Sequence, residues 1–203
     1  MSRLIKIGGT ASMLLLALVA GPLLADGDTE RGAALAYTCL GCHGIEGYRN
    51  AYPSYRVPKL GGQRAEYIEN ALVAYRDGTR PHPTMQAQGS SLTDDDIADL
   101  AAWFEGDEAV EVTVTGDESD YPEAGQTCLA CHGADAAQVQ PTPPVLVGQW
   151  RSYLVHALEQ YRDGARTNNV MTAFATSLSD EDIARLALFY SARSGLTTPG
   201  KPE

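Results

Sequence analysis

A five-residue pattern occurs twice in the chain, as Cys39-Leu40-Gly41-Cys42-His43 and as Cys128-Leu129-Ala130-Cys131-His132, and it uses all four cysteines. Two thiols two residues apart, with a histidine directly after the second, form the pattern that attaches haem covalently. The thiols add to the porphyrin vinyl groups and the imidazole ligates the iron. Four cysteines could also make two disulfides or a four-thiolate zinc site. Neither use gives the histidines a role, and zinc would have to close across the long segment between Cys42 and Cys128. Two covalently bound haem c groups are expected, one on Cys39 and Cys42 and one on Cys128 and Cys131, with His43 and His132 as iron ligands.

A motif present twice asks whether its surroundings are repeated as well. Residues 61–104 lie over residues 147–190 without a gap, and roughly twenty of the forty-four positions are identical. Tyr75-Arg76-Asp77-Gly78 returns as Tyr161-Arg162-Asp163-Gly164, and Met85 returns as Met171. With 203 residues the chain then divides into two small domains, each too small for an ample core of its own. A buried apolar ring solves that problem by serving as a core element. The expected organisation is an export signal over residues 1–25, a first domain over 26–106, a linker over 107–119, a second domain over 120–195 and a loose tail over 196–203.

The spacing predicts helices throughout. Residues 28–40 read as a helix that delivers Cys39, residues 44–61 as a Gly- and Pro-rich loop, and residues 65–77 as a helix stopped by Gly78. Thr93 with Asp96 and Ser179 with Asp182 read as N-caps of two equivalent helices whose apolar stripes run through Ile97, Leu100 and Phe104, and through Ile183, Leu186 and Tyr190. The second haem motif has less chain before it, so its opening helix is expected to be short or irregular. Alternating valines at 110, 112 and 114 suggest an extended linker.

An iron held by histidine on one side needs an account of the other side, since an open position means ligand chemistry and a filled one electron transfer. Outside the leader the methionines are Met85 and Met171, equivalent in the repeat and set in polar sequence that reads as loop. They are the expected sixth ligands. His82 competes for the first iron, but its counterpart is Asn168, and His156 falls on a helix position suited to a surface or interface. Pro58 and Pro144 are equivalent; their carbonyls could accept the other ring N–H of His43 and His132, or they are ordinary loop prolines. Arg76, Arg80, Arg162 and Arg166 could pair with haem propionates or cap helix ends.

The leader has Arg3 and Lys6 ahead of an apolar run too short for a comfortable membrane span, the pattern of a cleaved export signal. The formal charge is −11, and loss of those two cations leaves 13 basic against 26 acidic residues, or −13. Nucleic acid and anionic membrane surfaces are poor partners for that charge, which serves solubility or steers a basic redox partner. Membrane association would come only through partners or a retained signal.

With both haem motifs, the trailing methionines and the repeated helices, the chain resembles the dihaem cytochromes c of the c4 type. Pro58-Lys59-Leu60-Gly61-Gly62-Gln63 and Pro144-Val145-Leu146-Val147-Gly148-Gln149 are similar to that family's Pro-x-Leu-x-Gly-Gln segment. The resemblance implies an all-α fold of two tandem cytochrome c-like domains, each a few helices around a His/Met haem. It implies a soluble periplasmic electron carrier in a respiratory or oxidative chain, with a membrane cytochrome complex, a terminal oxidase or a dehydrogenase as partner. A dihaem subunit of a dehydrogenase, such as flavocytochrome c sulfide dehydrogenase, is the alternative. A dihaem peroxidase is the third reading, and the paired methionines oppose it.

Overall fold

The computed structural model describes residues 27–106, 121–134 and 142–200. The signal segment, the valine-rich linker and the last three residues lie outside that set. Among the described residues the regular structure is helical, joined by isolated bridges at Arg49–Arg56 and Gly61–Thr197.

In the first half α1 (Thr29–Ala36) is capped by the Asp28 carboxylate, which accepts from the N–H groups of Glu30 and Arg31. The short α2 (Leu40–His43) carries the haem motif, and α3 (Ala65–Arg76), α4 (Pro83–Gly89) and α5 (Asp94–Glu105) follow. α5 begins with the expected reciprocal capping box between Thr93 and Asp96. Ala36, Ile68, Leu100, Ala101 and Phe104 form the core where α1 and α3 pack on α5.

The second half repeats the order from its haem helix onward, with α6 (Leu129–His132), α7 (Arg151–Arg162), α8 (Asn169–Ala175) and α9 (Asp180–Ser191). Ser179 and Asp182 form the second capping box. The opening element is a 3-10 helix over Glu123–Cys128, in line with the short stretch available. Its core is larger, gathering Tyr121, Val145, Val147, Ile183, Leu186, Phe189 and Tyr190 among others.

Two features depart from the sequence reading. Met85 and Met171 stand in short helices, not loops: Pro83 sits in the first turn of α4, where its missing N–H costs nothing, and His82 and Asn168 cap α4 and α8. The tail is pinned as far as Pro199, with Leu196 only 2 % exposed and Thr197 exchanging backbone hydrogen bonds with Gly61 of the first half.

The halves are joined about an approximate two-fold through the Gly-Gln pairs. Gly62 and Gly148 adopt φ of 79° and 80°, a region open to glycine, and each N–H donates to the last turn of its own α5 or α9. The following glutamines cross to the other half. Gln63 donates Nε2–H to the Val145 carbonyl (3.1 Å) and accepts the Val145 N–H (2.9 Å), while Gln149 makes the same pair of bonds with Lys59 (3.0 Å each). Val145 and Lys59 are themselves equivalent, so the joint is self-complementary, as a two-fold contact requires.

Candidate haem-binding sites

The haem motifs lie at the end of a short helical turn in each half, and all four cysteines are free thiols. Among the described residues no three His, Cys, Asp or Glu side chains converge to hold a metal ion, so the thiols do not form a zinc site. His43 and His132 are buried, at 9 % and 6 % exposure. The Nδ1–H of His43 donates to the Pro58 carbonyl at 2.8 Å and that of His132 to the Pro144 carbonyl at 3.0 Å. This assigns one tautomer, in which Nε2 carries the lone pair, and it fixes the plane of each ring. Burial pushes both imidazoles below their ordinary range, against a smaller upward pull from the carbonyls. Both rings are therefore neutral, the form that ligates iron.

The two methionines stand on α4 and α8. His82 accepts the Met85 N–H at Nδ1 (3.2 Å), and its Nε2 is within 3.0 Å of the Tyr55 hydroxyl. Both of its ring nitrogens are thereby engaged. Asn168 does the same work in the second half, accepting the N–H of Val170 and of Met171 through Oδ1. His82 and Asn168 are thus equivalent helix caps, and Met85 and Met171, both half-buried, take the same place one turn on. His82 also lowers the basicity of His43, so α4 begins within electrostatic reach of the haem-motif histidine.

The four repeated arginines separate into two kinds. Arg76 pairs with Asp94 (2.8 Å) and Arg162 with Asp180 (2.7 Å), and each also donates to a backbone carbonyl before that aspartate. These two tie helix ends together and are not held in reserve for propionates. Arg80 and Arg166 turn into the joint between the halves. Each lies 4.5 Å over a tyrosine of its own half, Tyr75 or Tyr161, and donates across to Tyr153 (2.9 Å) or Tyr67 (3.1 Å). Although burial opposes it, the pair of guanidiniums pulls the Tyr67 phenol down to about 7. Among the described residues neither arginine pairs with a carboxylate; Arg166 is buried and Arg80 half-buried. Haem propionates are anions of the right kind, and the residues present fit two haem groups. When bound, a haem supplies one-electron exchange between ferric and ferrous iron.

Two helical halves, each built around a buried C-x-x-C-H histidine, define a dihaem c-type cytochrome with one covalent haem c per half. The cytochrome c family matches residues 29–106, and the family described as cytochrome C oxidase, cbb3-type, subunit III, matches residues 123–189. The chain belongs to the cytochrome c4 family. It is 30% identical to cytochrome c4 of Azotobacter vinelandii over 88% of this chain and 95% of that one. It is 29% identical to a thiosulfate dehydrogenase electron acceptor of Stutzerimonas stutzeri (82% and 86%). The crystal structure of reduced recombinant cytochrome c4 from Pseudomonas stutzeri superimposes with a TM-score of 0.65 at 26% identity, covering 84% of this chain and 100% of that one. These relatives are consistent with an electron-transfer cytochrome. No helix among the described residues is long and apolar enough to cross a membrane.

Proposed function

We propose that the protein is a periplasmic electron carrier without a catalytic site of its own, with His43 and Met85 ligating one haem iron and His132 and Met171 the other. The observation that carries this reading is the matched pair of sites. Each half has a carbonyl-anchored haem-motif histidine and, at the equivalent place in its repeat, a capped short helix with a methionine in its first turn. Two filled coordination spheres favour electron transfer over peroxide chemistry. Arg80 and Arg166 take the propionates at the joint, which draws both cofactors toward the interface and shortens the path between them.

Electrons enter from a dehydrogenase and leave to a membrane cytochrome complex or a terminal oxidase. The relative named as a thiosulfate dehydrogenase electron acceptor favours a dehydrogenase of that class as donor. The test is replacement of Met85 and Met171 singly by alanine. Each variant should keep both covalent haems by pyridine haemochrome assay and lose about half of the weak long-wavelength sulfur-to-iron band of the ferric protein. The potential of one haem should fall in each case. An unchanged spectrum in either variant overturns that methionine's role, and a five-coordinate, peroxide-reducing wild type overturns the carrier reading.

A further inference from the structure

Among the described residues, positive charge gathers on one open cleft as well as at the joint. A cleft of about 490 Å³ opens between the 49–56 loop of the first half and the start of α7 in the second, walled by Arg49, Arg56, Arg151, Tyr55 and His156. Its carboxylate is Glu159. Ion pairs among the described residues are made by Arg31, Arg76, Arg162 and Arg185, so none of the three cleft arginines has a carboxylate partner; Arg56 lies 4.5 Å over the Trp150 ring and Arg49 donates to Ser54. The Arg56 Nε is buried without a hydrogen-bond partner.

The backbone brings these cations together at a cost. Arg49 and Arg56 face each other in an antiparallel bridge flanked by the bonds from Asn50 N–H to Tyr55 and from Val57 N–H to Tyr48. That is the non-hydrogen-bonded position, where side chains come closest and like charges directly opposite are unfavourable. The first turn of α7 adds Arg151 and Ser152 to the wall, and its N-cap, Trp150, has no capping side chain. The helix end contributes further positive potential.

The duplicated fold does not explain the charge. On the pseudo-symmetric side Arg151 is replaced by Ala65, Arg56 by Thr142, Ser152 by Glu66 and Val155 by Glu69. There Thr142 donates to Glu66, and burial with Glu66 and Glu105 pushes Glu69 up, as in a crowded anionic patch. One frame therefore carries opposite charges on its two crossings.

We infer that this cleft binds a small multivalent oxyanion, a phosphoryl or polycarboxylate compound, clamped by Arg49, Arg56 and Arg151. Its volume lies within the range of small-molecule sites. Occupancy is felt at the first haem. Tyr55 lines the cleft, stacks on His156 at 4.1 Å between ring centroids, and bonds to His82, which in turn holds the Met85 N–H. An anion bound there favours the ferric state, so the potential of the first haem falls more than that of the second.

Calorimetric titration of the full dihaem protein with pyrophosphate and with citrate, at ionic strength held constant with sodium chloride, tests the site. One equivalent should bind. Arg49→Gln and Arg151→Gln should each weaken binding about tenfold or more, and Glu159→Gln should tighten it. Arg185→Gln, which removes a paired cation elsewhere, should change nothing. Heats that vanish at constant ionic strength, or that survive both arginine replacements, overturn the inference. Binding of a hexaglutamate peptide where neither small anion binds replaces it with docking of an acidic protein segment. The potential readout rests on Met85 ligation as proposed above, whereas the calorimetric result does not. Binding without a shift at the first haem therefore overturns only the coupling through Tyr55.

Discussion

The two halves share their last helix in register and yet cover it differently. In the first half α1 crosses α5 at Gly32, where an added Cβ would lie 2.1 Å from the Asp99 carbonyl oxygen, and Ala36 is fully buried beside it. Arg31 then pairs with both Asp96 and Asp99, and the Asp28 N–H donates to Asp99 at 2.7 Å. In the second half the position of Asp99 is Arg185, which pairs with Glu181 on its own helix instead. The 3-10 helix is too short to cross, and Tyr121 fills the place of a helix. Its ring packs edge-on against Phe189 at 4.6 Å and its hydroxyl meets that of Tyr190 at 3.0 Å. Close backbone approach with ion pairs and a large ring with a polar tip are two solutions to the same need, which is to bury the back of the haem motif.

The largest expected effect lies where that ring is removed. Tyr121→Ala should destabilise the second half by about 3–5 kcal/mol, as aromatic truncations in cores do. Hydrogen exchange should accelerate in α9 and leave α1 and α5 nearly untouched. Equal acceleration in both halves would mean that the chain unfolds as one unit and the comparison loses its force.

A smaller effect is expected on the other side. Gly32→Ala forces a Cβ into backbone that cannot rotate away, so α1 must lift from α5 at about 2–3 kcal/mol. Gly125→Ala, within the 3-10 helix, meets the Leu186 and Tyr121 side chains, and Leu186 can turn. That substitution should cost about 1 kcal/mol. Differential scanning calorimetry of the two variants checks the order, and a Gly125 variant as damaged as the Gly32 one would show that the second half is the more rigid.

The joint should break evenly where the openings break unevenly. Gln63→Leu leaves the buried Val145 N–H and carbonyl unpaired, and Gln149→Leu does the same to the half-buried Lys59. Each should cost about 2 kcal/mol. Denaturant midpoints of the two variants should agree, and a clear inequality would show that the two-fold is one of shape without matching energetics.

The haem motifs, the duplicated helices and both capping boxes were legible because each rests on side chains at fixed local offsets. The carbonyls of Pro58 and Pro144 were legible as possibilities through the repeat. The helix under Met85 was masked by Pro81, Pro83 and an unusual cap, His82, and that under Met171 by a short polar run in which the ordinary cap Asn168 reads equally well as loop. Gln63 and Gln149 were visible only as part of a family segment, since their partners are backbone groups in the other half and backbone acceptors leave no mark in sequence. The burial of Leu196 was hidden too, because its N–H bonds to the Val147 carbonyl and its side chain joins the second half's core only once the chain turns back on itself. Arg80 and Arg76 could not be told apart, because helix-end arginines look alike until the neighbouring aspartate is placed.

The smallest effect concerns acid. Asp96 is held below the ordinary carboxylate range by the Thr93 backbone N–H and hydroxyl and, further, by Arg31; Asp182 is held down by the Ser179 hydroxyl and N–H and, further, by Arg185. A carboxylate whose folded pKa lies below its unfolded value of about 4 contributes stability that is complete above that value and is lost as pH falls through the folded one. Both caps should therefore weaken in acid. The two halves differ in what the loss entails, because Arg31 links the Asp96 cap to α1, whereas Arg185 stands on the same helix as Asp182. Arg31→Gln should lower the stability of the first half near neutral pH, and the gap from wild type should close as pH falls from about 6 to about 3. These groups are exposed and screened, so the gap should be small and should shrink with salt. Hydrogen exchange at α1 across that range is the measurement. A gap that ignores pH would place the contribution of Arg31 in the packing of its aliphatic stem on α5, and the crossing in the first half would then rest on close approach alone.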